Sequence, residues 1–360
     1  MAAGIKTGFP ILEATNHAGG ICRYYQKNGY EFSTGGPHWI FGGGKGLDYI
    51  KSQVEIEEYP RNAGVYYNHT FPYPIQATSQ RENLSKEGTL KRWLSDNFSL
   101  AECNLFFNPF NEKYTSGMYE EILQSESQKT PRKDEKPHVP CLYEPKNGLS
   151  ELVDKMSSQC QIEYNHKVVK IDTKRKVIII WNGEKFIKRN YDKLITTAPL
   201  DVTLDMCGRF EHDLPFTSVL VFNIGAEIAE NTPKENYLYV PFCKSGFYRL
   251  GFYSNTKKER APKGKVALSA ELSLLPDVEF DPYEIGQRVV EELQNWRFIG
   301  KVDTLDPTYV RCAYTWVRTN EVQSHLDWLK ERDIISIGRY GSWKFGGITN
   351  SIEEGFGVQV

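Results

Sequence analysis

The sequence predicts an α/β fold: a Rossmann-like nucleotide-binding domain assembled from separate stretches of chain, with an added lobe of helices and antiparallel sheet. Three observations predict it. Pro10 to Ala14 is a short apolar strand ending in an acid, Glu13, and a glycine pair, Gly19-Gly20, follows. The stretch from Ser218 to Val317 is dominated by segments of strand alternation rich in β-branched and aromatic residues. The last stretch, Asp333 to Val360, reads as strand, turn and helix.

Each element has a local reason. Met1 to Gly8 reads as the last turn of a helix and the turn after it. An acid at the end of a parallel strand can accept hydrogen bonds from both ribose hydroxyls of an adenine dinucleotide. A close glycine pair lets backbone N–H groups approach a ligand with no Cβ in the way. Tyr30 to Ile40 carries a Gly35-Gly36-Pro37-His38 turn, in which His38 stands ready to lie beside a flat ring. Leu47 to Ile56 is a short helix, and Pro72 and Pro74 argue against one in Val65 to Gln76. Leu90 to Phe107 has helical spacing, which Pro109 either ends or follows. Glu120 to Pro140 is charged and proline-bearing, a solvated connection. Gly148 to Met156 starts a helix. Lys167 to Asp172 and Lys176 to Trp181 form a hairpin, and Asn182-Gly183 turns into a further strand. Tyr191 to Pro199 follows as part of an α/β meander. Ser218 to Ile224, Tyr237 to Pro241, Phe247 to Ser254, Val266 to Leu274 and Tyr309 to Val317 are strands. Ile285, Val289, Leu293 and Trp296 make an apolar helical stripe, which is core.

The totals exclude some classes. A net charge of −2 over 360 residues argues against a nucleic-acid protein held by a basic face. No apolar run approaches the roughly 20 residues that span a bilayer. The seven cysteines are scattered, with no C-x-x-C and no histidine cluster, so no metal is expected. Reduced thiols and a cytoplasmic location are the expectation. The 21 Tyr, 19 Phe and 7 Trp suit a core, and also a site that stacks on sugars, uracil or flavin.

Leu12-Glu13-Ala14, Gly19-Gly20, Arg23 and Gly35-Gly36-Pro37-His38 together resemble the glutathione-reductase-type FAD-binding proteins. The branch is the one holding amine oxidases, protoporphyrinogen oxidase and UDP-galactopyranose mutase. The ending Ile337-Gly338-Arg339-Tyr340-Gly341-Ser342-Trp343-Lys344-Phe345 resembles that family's most specific signature. The resemblance implies FAD as cofactor. It implies that Glu13, Gly19, Gly20, Arg23, Gly36, Pro37, His38, Val169, Gly338, Arg339, Asn350 and Ser351 hold it, with the N-terminus of the last helix aimed at the flavin. In such folds a strand and G-x-G-x-x-G precede the acid-bearing strand. Their absence here leads us to expect an N-terminally truncated chain.

Two further segments resemble UDP-galactopyranose mutases: Phe106 to Tyr119, and Leu238 to Asn255 (LYVPFCKSGFYRLGFYSN). The resemblance implies a substrate site of Asn111, Tyr239, Tyr248, Arg249, Tyr253 and Tyr314. Arg249 touches a UDP diphosphate, or else pairs with a local acid on a strand. The implied domains are 1–70, 145–200 and 330–360 for FAD, 71–144 for a helical substrate lobe with linker, and 201–329 for an antiparallel-sheet substrate lobe. The first expected function is isomerisation of a UDP-sugar between pyranose and furanose forms through reduced flavin, with His38 and Arg249 catalytic. The second is an amine oxidase- or protoporphyrinogen oxidase-like oxidoreductase. The third is an inactive truncated flavoprotein. The expected partner is a nucleotide-sugar or another small molecule, and the oligomeric state is left open.

Overall fold

A computed structural model describes residues 1–73, 88–123 and 141–359. Helix α1 (Ala2–Thr7) stops at Gly8, whose φ of 71° is the left-handed C-terminal cap that glycine adopts without strain. Strand β1 (Ile11–Leu12) follows. Strands β2 (Tyr24–Lys27) and β3 (Tyr30–Ser33) form a hairpin. Its two turn residues, Asn28 and Gly29, both have positive φ, which matches the twist of the flanking strands. Helix α2 (Gly44–Gln53) buries Leu47 and Ile50. Strands β4 (Ile56–Pro60), β5 (Ala63–Tyr66) and β6 (Thr70–Pro72) come next.

The helical stretch is broken twice. Helix α3 (Leu90–Asn97) is capped by the Thr89 hydroxyl, which accepts the Arg92 N–H. Phe98 is extended, so the single helix expected over Leu90 to Phe107 is two; the tighter local bond is the Ser99–Glu102 capping box that opens α4 (Leu100–Glu102). A π-turn, Cys103–Phe107, then leads into α5 (Asn108–Tyr114). Pro109 does not end the helix. Lacking an N–H, it cannot bond the Leu105 carbonyl four residues back. The π-turn absorbs the mismatch, and the Tyr67 hydroxyl donates to the Leu105 carbonyl at 2.7 Å instead. The connection expected at 120–140 lies largely outside the described residues, as do positions 74–76.

Strand β7 (Cys141–Pro145) pairs antiparallel with β4, and α6 (Leu149–Ser157) follows. Strand β8 (Ile162–Glu163) runs parallel to β1 and places Glu13 at the strand end. Strands β9 (Lys167–Asp172), β10 (Val177–Trp181) and β11 (Phe186–Asn190) make the expected meander. Strand β12 (Leu194–Thr196) then enters α7 (Leu200–Met206), a helix not anticipated although Leu200 and Leu204 repeat at helical spacing.

The second half is dominated by one sheet. Strands β13 (Phe216–Ile228), β14 (Tyr237–Tyr239), β15 (Arg249–Phe252) and β16 (Lys265–Leu274) precede α8 (Pro282–Asn295) and β17 (Ile299–Thr315). Helix α9 (Glu321–Lys330), also unanticipated, repeats Val322, Leu326 and Leu329 on one face. Strand β18 (Ile334–Ser336) runs parallel to β12, and the chain closes through α10 (Gly338–Gly341) and α11 (Ile348–Phe356). The sheet order is β17-β13-β16-β15-β14-β5-β6. Residues 63–70, grouped with the nucleotide-binding segments on sequence grounds, therefore run in this sheet, β5 lying parallel to β14.

Strand β13 is buried on both faces. Val219 and Val221 point into the cluster with Trp93, Phe107 and Phe110, whereas Leu220, Phe222 and Ile224 point to Val289 and Leu293 of α8. The two halves of the molecule are also tied by a buried charge junction. Arg260, 2% exposed, donates to Glu144, 1% exposed, and to Glu31 at 3.1 Å, and it lies over the Tyr24 ring. Replacing Glu144 with alanine leaves this guanidinium with one partly exposed carboxylate, Glu31, and the Thr256 hydroxyl. Urea denaturation of Glu144→Ala is expected to show a loss of about 3–5 kcal/mol, the usual effect of breaking a buried pair on one side; a loss below about 1 kcal/mol would mean that the junction is solvated.

Candidate functional site

The Gly35–His38 turn rests on the middle of the large sheet. Gly36 has a φ of 87°, and a Cβ there would sit 3.3 Å from Glu271 Oε1. Gly251 of β15 must also lack a side chain, since its Cβ would lie 2.4 Å from Pro37 Cγ. The Tyr237 hydroxyl donates to the Pro37 carbonyl at 2.9 Å. The Asn223 amide donates to the Ser33 carbonyl at 2.9 Å while its oxygen accepts from the Tyr253 hydroxyl at 2.7 Å. Bonds from β13 and β14 and close packing on β15 and β16 hold the turn and the strand before it in place.

His38 Nδ1 lies 2.7 Å from the Gly36 carbonyl. A carbonyl only accepts, so Nδ1 carries the proton and Nε2 is left as an acceptor. Burial against the turn, with Arg339 and Arg249 nearby, pushes the imidazole down to about 4, against the Gly36 bond and the Glu271 charge, which raise it. His38 is neutral at pH 7.

Beneath the turn, Glu271 on β16 faces Arg249 on β15 across the strand pair. Arg249 Nε donates to Glu271 Oε1 at 2.9 Å and its terminal nitrogen to Oε2 at 2.5 Å. The Tyr248 hydroxyl donates to Oε2 at 2.9 Å. Arg249 also lies over the Tyr237 ring and reaches the Tyr314 hydroxyl at 3.4 Å. Tyr114, Phe110 and Tyr239 continue the aromatic wall.

The C-terminal signature supplies the opposite rim. Arg339 donates to the Ala313 carbonyl at 2.9 Å and lies over the rings of Tyr314, Tyr340 and Phe345. The Thr349 hydroxyl donates to the Phe41 carbonyl at 3.3 Å, and the Gly46 N–H to Glu353 at 2.7 Å, so the loop before α2 is bonded to α11. Asn350 accepts the Gly347 N–H at 3.0 Å, and the Ser351 hydroxyl donates to the Gly347 carbonyl at 3.1 Å. The Asn350 side chain thus caps its own helix, and the Ser351 hydroxyl bonds back to that helix's first carbonyl. Arg61 stands over Phe41 and Tyr73 and donates to the Tyr239 hydroxyl at 3.2 Å.

At the end of β1, Glu13 Oε1 accepts the Thr15 N–H and hydroxyl, each at 2.8 Å. Gly19 serves packing: a Cβ there would lie 2.7 Å from Val153, whereas Gly20 is open. Arg23 is paired with Asp154 at 2.7 Å. Val169 is exposed on β9 and Gly338 opens α10 with a φ of 80°.

Several expected substrate residues fall elsewhere. Tyr253 is fully buried beside Tyr30 and Phe32 with its hydroxyl on Asn223, so it is a core residue because β15 has ended and a 3₁₀ turn points it away. Asn111 is buried and donates to the Phe107 carbonyl at 2.7 Å inside its own helical stretch. Tyr248 is fully buried on Glu271. Tyr239, Arg249 and Tyr314 do come together with His38. The reading missed Glu271, Asn223 and Arg61. A lone acid inside the apolar strand Ala267 to Leu274 was the available signal for Glu271, since an unpaired charge is not tolerated there.

The residues fit a flavin. Arg339 Nε and Arg61 Nε are buried without a partner among the described residues, and Gly43 and Gly338 leave open space where a side chain would begin. Residues 66–321 match the family model described as flavin-containing amine oxidoreductase. The chain belongs to this family. It is an FAD-dependent enzyme. The structure resembles reduced UDP-galactopyranose mutase with a TM-score of 0.85 at 18% identity, over 99% of this chain and 89% of that one. A CLA-producing fatty acid isomerase from P. acnes gives 0.69 at 13% identity, over 99% and 94%. Putrescine oxidase bound to putrescine gives 0.61 at 12% identity, over 99% and 94%. At these identities the likeness establishes the fold. No curated protein sequence matches the chain. Among the described residues no helix is long and apolar enough to cross a membrane.

The neutral His38 has a measurable consequence. Its folded-state value lies below that of an unfolded histidine, so between about pH 6.5 and 4 the unfolded chain takes up a proton that the folded chain refuses. That group's contribution makes stability fall as pH drops through this window. In urea titrations at pH 7.0, 6.0 and 5.0, His38→Asn should show a shallower loss of stability than the wild type. Identical slopes would place the wild-type imidazole in contact with water.

Proposed function

We propose that this flavoenzyme is a UDP-galactopyranose mutase-like isomerase, interconverting pyranose and furanose forms of a UDP-sugar. The observation that carries the reading is the cross-strand pair of Tyr239 and Arg249, set beside the His38 turn and the Tyr314 hydroxyl. A guanidinium held in one plane among phenols suits a sugar and a base, next to a diphosphate that Arg61 and Arg339 attract. Reduced flavin, when bound, supplies an electron-rich nitrogen able to act on the anomeric carbon. The chain's own residues bind, orient and shield. His38 offers Nε2 as an acceptor and stays uncharged, so it competes with no cation for the diphosphate. The tyrosine wall excludes water from the sugar. Arg61 and Arg339, neither with a carboxylate partner among the described residues, supply positive charge on two sides. Isomerisation calls for no metal and no net oxidant.

The family model supports a second reading, an amine oxidase- or protoporphyrinogen oxidase-like oxidoreductase. The two separate cleanly. A mutase needs reduced flavin but consumes no reductant per turnover, whereas an oxidase reduces its acceptor each time. With FAD-loaded protein reduced anaerobically by dithionite, UDP-galactofuranose should convert to UDP-galactopyranose without net flavin oxidation. Arg339→Gln is expected to weaken UDP binding by about tenfold or more, as loss of a charged hydrogen-bond partner does. If UDP does not bind at millimolar concentration while an amine or porphyrinogen bleaches the oxidised flavin, the oxidoreductase reading replaces this one.

A further inference from the structure

Glu271 is 2% exposed, near the middle of a sheet, and its two oxygens accept three bonds, two from Arg249 and one from Tyr248. The same carboxylate lies against Gly36, the residue whose carbonyl holds His38. Arg249 keeps 12% of its side chain exposed, and its terminal nitrogen reaches the Tyr314 hydroxyl at 3.4 Å. The geometry therefore points to Glu271 as a positioning residue: it neutralises Arg249 and locks it to the His38 turn, so that this guanidinium meets a ligand as half of an ion pair and not as a free cation. The argument rests on the reading of Arg249 as a ligand-facing group, but not on the ligand being a UDP-sugar.

The physical reason is the setting. A buried carboxylate and guanidinium hold one another in register only while both are charged; removing one partner leaves the other's full charge in a poorly solvated site. Arg61 and Arg339 lack such a partner among the described residues and attract anions directly. Arg249 is different in kind. Its task is direction, with the bidentate carboxylate fixing the plane of the guanidinium relative to His38.

The test uses inorganic pyrophosphate as the probe, titrated calorimetrically into full-length protein at low and high salt. Glu271→Gln frees the charge of Arg249, so pyrophosphate should bind about tenfold tighter than to wild type, with a steeper salt dependence, while turnover falls. A residue that merely supported the fold would weaken binding and turnover together. In Arg249→Gln/Glu271→Gln the gain in affinity should vanish. Should Glu271→Gln fail to fold, Arg249→Gln decides: it leaves an unpaired carboxylate and should bind pyrophosphate about tenfold more weakly than the double variant. Equal affinity in that pair, or no tightening in Glu271→Gln, overturns the proposal. UDP binding to wild type tests the mutase reading separately, so the two can fail independently.

Discussion

A charge inside a sheet covered on both faces has to be matched where it stands. Glu271 and Arg249 meet that condition by facing each other across adjacent strands, and the register of β15 on β16 follows from it. A one-residue slip of β15 along β16 would turn Arg249 to the face opposite Glu271 and leave two unpaired charges in apolar surroundings. Because the Gly36 turn packs on this carboxylate and His38 is bonded to Gly36, the position of the imidazole depends on the same pair.

The coverage of the sheet explains why the site sits where it does. Helices α3 to α5 and the π-turn cover one face, α8 covers the other, and β13 lies buried between them. Between those layers, β14 and β15 in the interior of the sheet meet the Gly35–His38 turn, while the loop before α2 is bonded to the C-terminal helix. Aromatic residues fill that junction in preference to aliphatic ones. Each ring contributes area for stacking and a hydroxyl or a π-face that a guanidinium can use, as Tyr237, Tyr314 and Phe345 do.

The fold hosts both isomerases and oxidases among its likenesses, so chemistry is decided by few residues. The residues that differ in kind here are the three arginines. One is neutralised by a carboxylate, and two are held on aromatic faces with an Nε left unpaired among the described residues.

Local pattern alone determined much of this protein. The strand ending at Glu13, the Gly35–His38 turn, the meander through Asn182-Gly183 and the closing strand–turn–helix are all set by residues close in sequence, whose φ preferences and alternation need no distant partner. The resemblance carried by those stretches pointed to flavin and to the family. Only the tertiary structure decided which of the tyrosines face the site. Tyr239 and Tyr253 look alike in sequence, yet one lies opposite Arg249 and the other is bonded to Asn223 in the core, because the strand carrying Tyr253 stops one residue before it. Glu271 was visible as a lone acid in an apolar strand, but what it pairs with was not, for the same reason. Its partner stands 22 residues away, and cross-strand register, the sum of many distant packing contacts, is what brings the two charges together.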